Sequence, residues 1–371
     1  MSRSIVHLIT GLTKAGAETM LYQILKYRSN EQLDYKVVSL GGGTHYYAKP
    51  MQDLGYTVIE FDFVRRPLSS FCQICHEIKG SDSIVCWMYH ANFVGYLAAH
   101  KEHIKNVKWC IRHSDLNPKH NSKRTLLINR ICALWSKKVT AILYNGERAR
   151  INHEAIGYNK KRGIVVDNGC DCEEFKPDEF AVDSLRKELG ISDKKKVVLS
   201  VTKDTPIKDI PCFVYALGKL REKEDIVAIM CGPGVDEDNK RLTAWCYEAG
   251  LVLGQNIILL GMRYDIPRLL AACDLYVLHS AGEAFPNALI QAMACGCLCV
   301  ATDVGDVRRI MNDDRCIVDS GDFDGLARIV NEFLEIPSEV AYDMKKRNRD
   351  IVKEKYDIRE IVKQYEEIFN S

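Results

Sequence analysis

The chain has 371 residues, 47% of them hydrophobic and 27% charged, which reads as a soluble globular protein of two ordinary domains rather than a disordered chain. Its 51 basic residues stand against 50 acidic ones, so the chain as a whole has no basic footprint for nucleic acid. The 15 cysteines are too dispersed for a small disulfide scaffold, no apolar run reaches the roughly 18 residues of a membrane span, and the first strand-like run, broken by His7, lacks a signal-peptide core; the expected place is the cytoplasm.

The first half alternates β-rich runs with helical spacing. "SIVHLIT" predicts a strand, and Met20, Leu21, Ile24 and Leu25 predict the helix after it. "YKVVSLG", "TVIEFDF", "SIVCWMYH", "VKWCIRHS", "VTAILYN" and "GIVVDNG" read as further strands, with helical segments between them. On this reading His90 and His113 each end a strand. Such alternation predicts a parallel sheet covered on both faces. "CDCEEFKPDEFAVDS" is acidic, holds a proline and has no period, so the linker is placed there. The alternation restarts at "KKVVLSV" and runs through "IVAIMCGPG", "IILLG", "LYVLHS" and "CLCVATD"; from Leu326 to Phe369 the pattern is mostly helical. Two halves with one grammar predict two doubly wound domains facing each other across a cleft.

Open α/β sheets place ligands at the carboxyl edges of their strands. "SAGEAFPNALIQAMACGCLCVATD", Ser280 to Asp303, begins at such an edge. Pro286 suits the first helical turn, and the amides of Asn287, Ala288 and Leu289 would then face an anion, phosphate above all. Glu283 precedes the helix, and Gln291 lies eight residues beyond it, roughly 12 Å if all were helical. This layout suits a ligand with a phosphate in the middle and hydroxyls at its ends. A plain helix start with a surface acid has the same spacing.

The segment resembles the donor-site signature of family 4 of the retaining glycosyltransferases. Other pieces follow in that family's order: "AGAETM", "DNGCDCEEFKP", "VTKDTPIKDIPCFVYAL", "CGPG" and "ILLGMRYDIPRLLAACDLYVLHS". The resemblance implies a GT-B fold of two Rossmann-like domains. Residues 1–172 would bind the acceptor, 173–355 the nucleotide-sugar donor, and a last helix at about 356–371 would pack back on the first domain. It implies that Glu283 touches the donor sugar or leaving phosphate, that Lys203 and Lys208 hold the diphosphate, and that Gln291 meets the ribose. Met262 and Arg263 would present backbone to the base; Gly16 and Gly232 would let backbone approach the donor, and Phe285 and Pro286 belong to the signature. His113 would lie near sugar and acceptor.

The implied activity is a retaining, metal-independent hexosyl transfer from a nucleotide sugar, a UDP-sugar first, to a glycan or lipid-linked glycan of bacterial surface polysaccharide (O-antigen, capsule or lipopolysaccharide). No cofactor and no metal are expected. The departures are Gln291 for a second glutamate, Lys203 for arginine, and Ala15 and Thr202 for glycines. Gln291 keeps hydrogen bonding but has no charge, and Lys203 loses the arginine fork. A catalytically silent binding subunit and a sugar-nucleotide epimerase stay open. A dinucleotide oxidoreductase would need G-x-G-x-x-G, which "GLTKAGAE" lacks.

Cys170, Cys172, Cys295, Cys297 and Cys299 lack zinc spacing and read as small buried hydrophobes. Lys119, Lys123, Arg124, Arg130, Lys137 and Lys138 interleave with Leu126, Leu127, Ile131 and Leu134. This pattern fits either a solvated amphipathic helix or one lying on an anionic membrane, the inner face of the cytoplasmic membrane in this case.

Overall fold

The computed structural model describes residues 2–41, 45–118 and 121–371; Lys119 lies outside them. The chain divides into two compact units, Met1–Gly169 with Ile358–Ser371, and Cys170–Asp357.

The first unit holds β1 (Arg3–Ile9), β2 (Leu33–Ser39), β3 (Thr57–Glu60), β4 (Ser83–Trp87), β5 (Val107–Ile111), β6 (Ala141–Tyr144) and β7 (Gly163–Val165). They form one sheet in the order β3-β2-β1-β4-β5-β6-β7, every neighbour parallel. Parallel neighbours need crossovers, and helices supply them. The central strands are buried on both faces, hence their sequences are apolar apart from Ser83 and Lys108.

The second unit holds β8 (Lys196–Val201), β9 (Ile226–Cys231), β10 (Ile257–Leu259), β11 (Leu275–Leu278), β12 (Leu298–Thr302) and β13 (Ile317–Val318). Their order is β10-β9-β8-β11-β12-β13, again all parallel. Each unit is thus a Rossmann-like doubly wound layer structure, as the alternation predicts. Strand order reverses between β1 and β4 in one unit and between β8 and β11 in the other. At such a reversal the two connections leave the sheet in opposite directions and open a crevice.

Two local expectations are corrected. The strand expected through His90 stops at Trp87, and the helix Met88–Lys101 follows with no loop, so His90 lies in that helix's first turn. Met88 absorbs the change of direction in a left-handed conformation, φ 71°. The side-chain amide of Asn92 donates to the carbonyls of Cys86 and Met88 at 2.9 and 3.2 Å and holds the turn. The linker is also shorter than expected, because a helix begins at Ala181, with Ala181 and Leu185 turned inward.

The last helix, Ile358–Asn370, buries Ile361, Val362, Tyr365 and Phe369 in the core of the first unit. Polar groups seat it. Arg112 donates to the Tyr365 hydroxyl and the Asn168 side chain and stands 5.7 Å from the centre of the Trp87 ring. Glu366, only 3% exposed, accepts from the Ser29 amide at 2.9 Å, the Asn30 amide at 3.2 Å and the Ser29 hydroxyl. Between sheet and helix lies His7 of β1, edge-on to Tyr35 and Phe369 at 4.9 and 5.3 Å. The Trp87 indole donates to its Nδ1 at 3.2 Å, and burial pushes its pKa down to about 3.

Glu366→Ala removes the buried acceptor shared by two amides and a hydroxyl of Ser29 and Asn30. We expect it to destabilise the first unit by about 2–4 kcal/mol. Urea unfolding followed by tryptophan fluorescence measures this, since Trp87, Trp109 and Trp135 all lie in that unit.

Candidate functional site

Two loops meet at the β8/β11 reversal. The first, Thr202 to Asp209, leaves β8 and contains the short 3-10 turn Pro206–Lys208. It is anchored on both sides of Lys203. Thr202 donates its amide to Cys231 at 2.9 Å, and Asp204 donates its own to Pro233 at 2.9 Å. The Asp204 carboxylate takes a two-pronged bond from Arg241, both contacts 2.7 Å, and one from Asn239 at 2.8 Å. Gly232 permits this approach: it has φ +135°, and a Cβ there would sit 1.7 Å from the Thr202 carbonyl oxygen. Lys203 itself is exposed. The hydroxyls of Thr202 and Thr205 are shielded from solvent and have no partner among the described residues, a costly state that a polar ligand would relieve.

The second loop leaves β11 and runs to Pro286. Its Ala281 amide donates to the Ile207 carbonyl at 2.8 Å, joining the two loops directly. Thr302 of β12 donates its hydroxyl to the Ser280 carbonyl at 2.7 Å. Gly305 closes the other side. It has φ +56°, and a Cβ there would lie 2.8 Å from the carbonyl oxygens of both Glu283 and Ala284.

These anchors bring Lys208 and Glu283 together as an ion pair, their side chains 22% and 13% exposed. The Ser280 hydroxyl donates to the same Glu283 oxygen at 2.8 Å. Lys208 and Glu283 are 75 residues apart in the chain, and only the strand order makes them neighbours.

Pro286 is not in the first turn. It caps the helix Asn287–Ala294 in an extended conformation, and its carbonyl accepts from the amides of Leu289 at 3.1 Å and Ile290 at 3.4 Å. The expected Leu289 amide is therefore engaged, which leaves Asn287 and Ala288 as the amides ahead of the helical ladder. Phe285 is buried against Tyr356, ring centres 5.5 Å apart, and Leu289 is buried too. Both fix the loop from below. Gln291 lies half-buried in the same helix.

His279 fixes the floor. Its Nδ1 donates to the Asp209 carbonyl at 3.2 Å, so Nε2 carries no proton and accepts from the Ser200 hydroxyl at 2.8 Å. The ring stacks on Phe213 at 4.9 Å. Burial pushes its pKa down to about 4. Asp209 is left-handed, φ 45°, and its hold by His279 sets the direction of Lys208 beside it.

Met262 is exposed in the loop after β10. The Arg263 guanidinium is committed to Asp265, two contacts of 2.8 Å, and to Glu188 at 2.8 Å. Arg263, with Arg268 donating to the same carboxylate at 2.9 Å, holds the Asp265 carboxyl well below the usual range. Arg263 can thus offer a ligand only its backbone.

Gly16 and His113 belong to the first unit. Gly16 opens the helix Gly16–Lys26, and a Cβ there would touch nothing within 4 Å. His113 follows β5 by two residues and is half-buried. Burial and the nearby Arg124 charge lower the pKa of His90. Cys170, Cys172, Cys295, Cys297 and Cys299 are buried, and no group of three metal-ligating side chains is assembled among the described residues. Sequence reasoning missed Ser280, His279, Asp204 and Arg241. Ser280, His279 and Asp204 lie inside quoted motifs but were given no role there, and Arg241 had no signal at all.

Residues 181–351 match the family described as glycosyl transferases group 1. The chain is 29% identical over 219 residues to N-acetyl-alpha-D-glucosaminyl L-malate synthase of Bacillus anthracis, covering 58% of this chain and 55% of that protein. It is 27% identical over 285 residues to N,N'-diacetylbacillosaminyl-diphospho-undecaprenol alpha-1,3-N-acetylgalactosaminyltransferase of Campylobacter jejuni, covering 72% of this chain and 73% of that one. The match to an Escherichia coli UDP-Gal:alpha-D-GlcNAc-diphosphoundecaprenol alpha-1,3-galactosyltransferase is 29% identical and spans 45% of this chain and 41% of that protein. The chain thus spans about half the length of the first of these relatives. Anabaena HepE, crystallised with UDP and glucose, superposes with TM-score 0.85 at 23% identity, covering 99% of each chain. That likeness establishes the fold, which is GT-B.

Between pH 6.5 and about 4 the unfolded chain takes up a proton at residue 279 that the folded chain refuses. The folded state is favoured fully above pH 6.5 and loses that advantage as pH falls toward 4. We expect the melting temperature to drop across this window, and His279→Gln to make the drop shallower, read by thermal denaturation at a series of pH values.

Proposed function

We propose that this chain, whose residues 181–351 match the group 1 glycosyl transferases, is one of them and moves a sugar from a nucleoside diphosphate donor, a UDP-sugar first, to a hydroxyl of a glycan or lipid-linked glycan in surface polysaccharide assembly. One observation carries this reading. The loops after β8 and β11 are joined by backbone and place Lys208 and Glu283 in contact, with Lys203 on the same loop and the Asn287 and Ala288 amides next to Glu283 in the chain.

The chemistry follows from the charge that moves. As the glycosidic bond breaks, negative charge grows on the diphosphate. Fixed cations and donors stabilise it without reorganising at that moment. Lys208 and Lys203 would take the phosphate oxygens, the Asn287 and Ala288 amides would add the partial positive charge of a helix start, and the hydroxyls of Thr202 and Thr205 would find acceptors. These groups would do the work of a metal ion. Glu283, an acceptor on both oxygens, would take hydrogen bonds from sugar hydroxyls, and Lys208 would shift from carboxylate to phosphate as the donor binds. Gln291 would meet the ribose. Arg263 would present backbone at the base. The first unit would bind the acceptor, with His113 near sugar and acceptor, and Gly16 would let its backbone approach the donor phosphates. Retention of configuration belongs to the same proposal.

The names of the relatives support this substrate class, since two specify diphosphate-linked undecaprenol acceptors and HepE was crystallised with UDP. Gln291 and Lys203 favour a second reading, a binding protein without turnover.

Glu283→Ala should lower transfer at least about 10²–10³-fold while the melting temperature and UDP affinity hold. A UDP-release assay over a panel of UDP-sugars measures it, and unchanged turnover would remove Glu283 from the site. Gln291→Glu should bind UDP as tightly or more tightly, read by calorimetry; a large loss would give the glutamine a different role. Wild-type binding of UDP-sugar without turnover on any acceptor would favour the second reading.

A further inference from the structure

The carboxyl edge of β3 holds a cavity of about 280 Å³ that the transfer chemistry does not use. It lies wholly within the first unit. Phe61 and Phe63 donate their amides to the carbonyls of Ser39 and Leu40 at 3.0 and 2.9 Å, so the chain beyond β3 stays laced to the chain beyond β2. Gly41 permits that approach: it has φ +88°, and a Cβ there would sit 1.6 Å from the Phe61 carbonyl oxygen. The chain then turns at Asp62, whose carbonyl accepts from the Arg66 amide at 3.0 Å, and enters the helix Pro67–Ile78.

The lining has two parts that differ in kind. One is the start of that helix. Arg66 caps it with no side-chain bond, Pro67 has no N–H, and the first ladder bond runs from the Ser70 amide to the Arg66 carbonyl at 2.9 Å. The amides of Leu68 and Ser69 therefore stand ahead of the ladder. The Arg66 side chain is exposed, and among the described residues no carboxylate pairs with it. Ser70 is only 3% exposed and lines the cavity, and its hydroxyl bonds no other group among the described residues. A hydroxyl so shielded costs stability until it finds a partner. This part offers donors, and the first turn of the helix holds no acid. The other part offers acceptors, Glu60 at the end of β3 and Asp62. Glu60 bonds His45, and Asp62 pairs with Arg65 at 3.6 Å.

We propose that this cavity takes a monosaccharide unit of the acceptor that carries one anionic group, phosphate or carboxylate. The anion would meet Arg66, Ser70 and the Leu68 and Ser69 amides, and the sugar hydroxyls would meet Glu60 and Asp62. That the sugar belongs to an acceptor rests on the proposed transfer; that the cavity takes an anionic sugar does not. A helix start joins free amides to partial positive charge, and a guanidinium can grip phosphate or carboxylate with two parallel bonds. A neutral sugar would leave Arg66 without a partner, and Arg65 and Arg66 would repel a metal ion. The volume is near the lower end of ligand clefts, roughly 300–1,000 Å³, which suits one sugar unit rather than a chain. All strands of this sheet are parallel and end on one edge, and β3 stands two strands from β1, roughly 10 Å at ordinary spacing. The anionic sugar would therefore be a neighbour of the unit that receives the transfer, further along the acceptor.

The test is calorimetry on the whole protein saturated with UDP, which fills the phosphate-binding loops of the second unit. We expect glucose 1-phosphate or glucuronic acid to bind at least about tenfold more tightly than glucose. The tighter of the two acids distinguishes phosphate from carboxylate. Arg66→Gln and Ser70→Ala should each weaken that acid about tenfold and leave UDP affinity unchanged. Ser70→Ala should also keep or raise the melting temperature, since it removes a shielded hydroxyl that has no partner. A lower melting temperature with unchanged acid binding would make the hydroxyl structural and overturn the proposal. So would equal affinity for glucose and both acids, or no binding of either acid. The acids are also titrated without UDP: binding there, in a protein that fails to bind UDP, would support the cavity and count against the transfer reading alone.

Discussion

A carboxylate held mostly out of water needs a cation, and the loops at the β8/β11 reversal of the second unit supply one. Glu283 is shielded at the end of β11, and Lys208 reaches it from the end of β8. The contact exists because those strands are neighbours at the point where strand order reverses. The loops are then held by groups that never face a ligand. The Ala281 amide binds Ile207, His279 binds the Asp209 carbonyl, and Gly305 leaves room under Glu283. Each places a charged atom by fixing the backbone beneath it. On the proposed reading the donor's phosphates would enter where a cation is already directed, and Lys208 would shift to them from the carboxylate.

The same rule about buried polar groups explains how the last helix stays on the first unit. It leaves the second unit at Asp357 and packs on the sheet that begins the chain. Apolar contact alone would tolerate sliding along the helix axis. Glu366 takes two amides and a hydroxyl after the first helix, and Arg112 links Tyr365 to Asn168. These bonds have one register. His7, buried and neutral between Tyr35 and Phe369, fills the space between sheet and helix.

Much of the architecture was legible in the chain itself. Buried parallel strands must be apolar on both faces, and the helices between them must carry one apolar stripe, so alternation of the two patterns determines a doubly wound unit and places its strand ends. The motif at Ser280 lies at such an end for the same reason. Local geometry was less legible where one residue decides it. A single left-handed residue, Met88, converts an expected strand end into a helix start, and one extended proline, Pro286, takes up an amide expected to be open. Pairings between distant residues had no local signal. Strand order alone brings Lys208 to Glu283, Arg241 to Asp204 and Asn159 to Ser136, because a parallel sheet joins segments that the sequence keeps tens of residues apart.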